Sequence, residues 1–76
     1  MLMMFFVVAD DDGSRTVRLI SKHNTLANAK SNEARLNRVY KRRIFYTINQ
    51  ARYIDLYYTG EISDPNHIMR QWLTGD

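Results

Sequence analysis

Seven basic residues (Lys22, Lys30, Arg35, Arg38, Lys41, Arg42 and Arg43) lie between positions 22 and 43 against a single acid, Glu33, although the net charge of all 76 residues is only +3. Clustered positive charge gives a surface a preference for phosphate or for an acidic protein face. Five of these residues, Lys30, Arg35, Arg38, Lys41 and Arg42, are the candidate nucleic-acid contacts, because lysine and arginine on one exposed face replace counterions along a phosphate backbone. The tyrosines at 40, 46, 53, 57 and 58 add stacking surfaces if the sheet that carries them is open. No RNP motif, zinc finger or helix-turn-helix pattern narrows this to a known module.

The other groups capable of chemistry are sparse. Asp10-Asp11-Asp12-Gly13-Ser14 begins like a calcium loop, but a bidentate glutamate is needed at the twelfth position, which is Ser21. A polar turn is the simpler reading, and no metal is expected. His23 and His67 have no second ligand at metal spacing. Lys22, His23, Asn24 and Thr25 precede a helix and offer an anion-binding start. Ser14 or Ser21 beside His23 lacks an orienting acid in the sequence, so no nucleophile is assigned. The expectation is a non-catalytic binding protein without a cofactor or small-molecule substrate. Its partner is nucleic acid or an acidic protein surface.

These residues need a scaffold. Apolar residues make up 45% and charged residues 25% of the chain, proportions that suit one small folded domain over 1–76. There is no cysteine, which removes disulfides and thiolate metal sites and suits a reducing, cytoplasmic setting. The apolar run Met1–Ala9 lacks a basic n-region and falls short of the ~20 residues of a membrane span, so a membrane partner is not expected.

Residues 3–21 read as a β-hairpin turning on Asp12-Gly13, with Val8 opposite Val17 and Phe6 opposite Leu19. That register gathers Met4, Phe6, Val8, Val17 and Leu19 on one face. Phe5, Val7 and Ile20 then crowd the other face, which must meet another layer or a second subunit. They are the candidate protein interface, with a homodimer as one outcome. Thr25 caps a long amphipathic helix over about 26–42, with Leu26, Ala29, Leu36, Val39 and Tyr40 inward and the basic residues outward.

Residues 44–62 support two readings. β-Propensity favours strands at 44–49 and 53–58 joined at 49–52, with Phe45 opposite Leu56. Thr47 and Gln50 as a capping box, with Gly60 as terminator, favour instead a helix over 48–59. The strand reading is preferred because a lone hairpin needs further strands. Asp64 as cap and Pro65 at the first position begin a short last helix carrying Ile68, Met69, Trp72 and Leu73 on one side, where Trp72 serves the core or a docking face. The expected fold is therefore α+β, ββαββα: a small antiparallel sheet of two hairpins, a long basic helix and a short C-terminal helix.

The fragment Ser21-Lys22-His23-x-Thr25-Leu26-x-x-Ala29 after a hairpin resembles that of small α+β proteins encoded by bacteria and phages. The resemblance implies a small accessory protein of a bacterium or phage. The alternative to nucleic-acid binding, resting on Phe5, Val7, Ile20 and the tyrosines, is a protein-interaction module or homo-oligomer, for example a regulator or inhibitor of phage type.

Overall fold

The computed structural model describes residues 3–10 and 15–69. Their fold is a small α+β unit with a four-stranded mixed sheet and two helices. The elements are β1 (Phe5–Asp10), β2 (Val17–His23), α1 (Leu26–Val39), β3 (Phe45–Asn49), α2 (Gln50–Tyr58) and β4 (Ile62–Ser63). The strand order is β3-β1-β2-β4. β1 lies antiparallel to both β2 and β3, while β4 runs parallel to β2. β2 and β3 thus flank β1 in the same direction, which demands a crossover, and α1 supplies it. The all-antiparallel pair of hairpins expected from the sequence is corrected to this mixed arrangement.

The first hairpin forms with a different register. Val8 faces Leu19 and Asp10 faces Val17, two residues along from the expected pairing. The turn residues 11–14 lie outside the described residues. Between Val7 and Val8 the partner jumps from Ser21 to Leu19, leaving Ile20 as the extra residue of a bulge. A bulge reverses the alternation beyond it. Without it Ser21 and His23 would share the face of Leu19; with it they pair beside Val7 and Phe5, on the opposite side of the sheet.

Each face of the sheet has its own cover. Met4, Phe6, Val8, Val17, Leu19 and Ile48 pack with Tyr53 and Leu56 of α2. Val7, Ala9 and Phe45 pack with Ala29 and Leu36 of α1, bordered by Phe5 and Ile20. The crowded second face of the hairpin is therefore covered by a layer of the same chain. Val7 is fully buried there, and Phe5 and Ile20 are half-buried.

α1 starts as expected, with the Thr25 hydroxyl accepting from the Asn28 amide at 3.1 Å. It ends at Val39 rather than 42, because the chain must reverse within a few residues to enter β3 beside it. Tyr40, whose ring approaches Phe45 at 6.0 Å, is the C-cap. Lys41, Arg42 and Arg43 consequently belong to a connecting turn.

Residues 44–62 combine halves of the two readings. Phe45–Asn49 is a strand, and Tyr53–Tyr58 is helical rather than extended, so Phe45 and Leu56 are not cross-strand partners. Local hydrogen bonding outweighs β-propensity here. The cap is Asn49, not Thr47, its side chain accepting from the Arg52 amide at 2.8 Å. At the other end Gly60 adopts φ 74°, and the Glu61 and Gly60 amides donate to the carbonyls of Leu56 and Tyr57 at 2.8 and 3.2 Å. This Schellman pair stops α2 and returns the chain to the sheet.

The Asp64 carboxylate accepts from the amides of Ile68 and Met69 at 2.8 and 2.7 Å. The helix expected to start at Pro65 starts later: Pro65 and Asn66 form a turn, His67 has φ 55°, and the helical residues begin at Ile68. The expected positions of Trp72 and Leu73 fall outside the described residues.

Candidate phosphate-binding groove

α1 presents three stripes. Advancing about 100° per residue, Ala29 and Leu36 face the sheet, Glu33, Asn37 and Lys30 lie on one flank, and Asn28, Ser31, Asn32, Arg35 and Arg38 lie on the other. The two flanks do different work.

The first flank closes the outer edge of β3. Asn37 donates through Nδ2 to the Phe45 carbonyl and accepts the Phe45 amide at Oδ1, both at 2.8 Å. Glu33 Oε1 accepts from the Thr47 amide at 2.7 Å. Side chains thus satisfy backbone groups that would otherwise offer a template for another strand. Lys30 Nζ sits 3.5 Å from Glu33 Oε1, so this cation belongs to the edge and is partly balanced. The single acid of the basic stretch is structural.

The second flank faces the end of β2, where the bulge has delivered Ser21 and His23. Ser21 Oγ and His23 Nε2 are 2.8 Å apart. Asn32 Nδ2 donates to Ser21 Oγ at 2.8 Å, and Arg35 Nη2 donates to Asn32 Oδ1 at 2.9 Å. Ser21 Oγ accepts from Asn32 and shares one proton with His23 Nε2, the direction of that bond following the imidazole tautomer. Partial burial lowers the pKa of His23 and favours the neutral ring.

Beside the chain opens a groove of about 420 Å³ lined by His23, Asn28, Ser31, Asn32, Arg35 and Arg38. Its lining is polar, carries two guanidinium groups and includes no carboxylate. Such a surface suits an anion. Ser21 does not line it, and the hydroxyl is committed to His23 and Asn32. The Ser21–His23 pair therefore reads as a brace that orients Asn32 and, through it, Arg35.

Of the five cations expected to share one face, Arg35 and Arg38 meet at the groove. Lys30 is on the opposite flank, and Lys41 and Arg42 are exposed in the turn beyond α1. Arg43 joins Arg18 at the rim of a second, apolar groove of about 260 Å³ that includes Ile20, Leu36, Tyr40 and Phe45. Among the described residues the sheet offers no open stacking platform, because each face is covered by a helix. Tyr53 is buried against Phe6 with ring centroids 4.5 Å apart, whereas Tyr40, Tyr57 and Tyr58 are exposed.

Of the anion-binding helix start read from the sequence, His23 lines the groove and Lys22, Asn24 and Thr25 do not; Asn28, Ser31 and Asn32 were missed as members of it. The available signal was spacing: Asn28, Ser31 or Asn32, Arg35 and Arg38 recur at intervals of three and four, a polar stripe as regular as an apolar one.

Among the described residues no group of three or more His, Asp or Glu side chains can hold a metal ion, and no helix is long and apolar enough to cross a membrane. Comparison with protein-family models, with curated proteins and with solved structures finds no match.

Proposed function

We propose that the chain is a non-catalytic protein that binds nucleic acid through phosphate, using the outward flank of α1. The carrying observation is the groove in which Arg35 and Arg38 converge with Asn28, Ser31 and Asn32 and no carboxylate intrudes. Lys41 and Arg42, exposed beyond the C-terminal end of α1, extend the positive surface towards neighbouring phosphates. Lys30 contributes least, because Glu33 is its near neighbour.

Fluorescence anisotropy with labelled duplex DNA and single-stranded RNA, measured across a salt series, tests this reading. Each phosphate contact contributes a log–log slope of about −0.9 on duplex and about −0.7 on single strands. No binding to either polymer at low salt overturns it.

A second reading is a protein-interaction module, such as a regulator or inhibitor of bacterial or phage type, or a homo-oligomer. Ile54, Tyr57 and Tyr58 are exposed on α2, and Val39, Tyr40 and Ile44 are exposed beside the apolar groove. Aromatic side chains in the open are common anchors of interfaces. Sedimentation of the chain and of Tyr58→Asp tests self-association; a monomer at high concentration in both excludes the oligomer.

A further inference from the structure

We infer that the groove between α1 and the end of β2 is a seat for a phosphate monoester dianion, as found at a phosphorylated nucleic-acid end. This rests on the phosphate-binding reading and adds which phosphate the site selects. An internal phosphodiester carries one negative charge and two non-bridging oxygens. A terminal monoester carries ≈ −1.5 to −2 charges at pH 7 and three strong acceptor oxygens.

The groove matches the second species. Two guanidinium groups line it without a carboxylate, so a dianion is neutralised where a diester leaves one positive charge over. Donors come from α1, namely Arg35, Arg38, the Asn28 side-chain amide and the Ser31 hydroxyl, and His23 at the end of β2 completes the lining. Arg35 is held by Asn32, itself held by Ser21, so one guanidinium is oriented before any ligand arrives. Pre-orientation of this kind reduces the ordering cost of binding.

The experiment compares single-stranded oligonucleotides of one sequence bearing a 5′-phosphate, a 3′-phosphate or only hydroxyl ends. A hydroxyl-ended strand two nucleotides longer carries at least the added charge. Inorganic phosphate serves as competitor. The proteins are the unaltered chain, Ser31→Asp, which adds a carboxylate to the groove, and Lys41→Gln, which removes a cation outside it.

A roughly tenfold preference for one phosphorylated end, about 1.4 kcal/mol, is expected. It disappears in Ser31→Asp and persists in Lys41→Gln, where all strands weaken together. If inorganic phosphate binds and no strand does, the groove stands with a free phosphate as its ligand, and the nucleic-acid reading falls. If all strands bind equally and phosphate does not compete, the nucleic-acid reading stands and the monoester seat is overturned. Far-UV circular dichroism of Ser31→Asp establishes that it is folded, and Ala34→Asp, which puts the same carboxylate on an exposed position of α1 outside the groove lining, keeps the preference.

Discussion

α2 is held to the sheet by rings and aliphatic groups, whereas α1 is held in large part by amides and a carboxylate. On the α2 side Phe6, Val8, Leu19 and Ile48 enclose Tyr53 and Leu56. On the α1 side only Ala29 and Leu36 of the helix are buried, and Asn37 and Glu33 clamp the edge of β3. A helix attached along one narrow apolar stripe keeps most of its circumference for polar work. The contrast teaches that the larger apolar cluster lies in one layer and the open polar surface in the other.

The sharpest way to break that comparison is Phe6→Ala. Phe6 is completely buried and stacked on Tyr53, so its loss is expected to cost about 3–5 kcal/mol and leave little folded protein. Urea denaturation monitored by circular dichroism checks it; a variant as stable as the unaltered chain refutes the assignment of the main core to the α2 side. On the α1 side Asn37→Ala leaves the outward amide and carbonyl of Phe45 without their partner. The expected cost is about 1–3 kcal/mol, smaller than that of Phe6→Ala, with faster amide exchange at Phe45. Equal losses from both variants dissolve the distinction between the layers.

Alkaline titration sharpens it further. Burial, then the Asp64 carboxylate and Tyr57, push the Tyr53 pKa up to about 12. The folded chain holds this proton more tightly than the unfolded chain. Stability is therefore fully present below the ordinary tyrosine value of about 10 and is lost as pH rises towards 12. Tyr53→Phe flattens that loss, as read from urea midpoints.

The smallest effect lies on the α1 side. The lowered pKa of His23 means the unfolded chain binds its proton more readily. Stability is present above about pH 6.5 and declines as pH falls through the folded value. His23→Gln removes that part of the slope.

These contrasts also explain what was legible in the sequence. β1, β2, the Thr25 cap and the core residues Phe6, Val8, Val17 and Leu19 follow from alternation and local capping, and they appear in the fold. The bulge at Ile20 was hidden because a single extra residue leaves composition unchanged while reversing Ser21 and His23. α2 was read mainly as a strand because Tyr53, Ile54, Tyr57 and Tyr58 favour sheets; Asn49 and Gly60 supply the stronger hydrogen-bonded ends. The basic residues were evident as a count. Their division between the Lys30–Glu33 flank and the Arg35–Arg38 groove depends on where β3 and β2 lie, and on the helix ending before Lys41.

The most direct test of the account is the salt dependence of nucleic-acid binding by the double variant Arg35→Gln/Arg38→Gln, measured beside its urea midpoint. Both side chains are exposed, so stability should change little. The account predicts that the log–log slope on duplex DNA becomes shallower by about 1.8, the share of two phosphate contacts. An unchanged slope and affinity with an unchanged urea midpoint contradicts it.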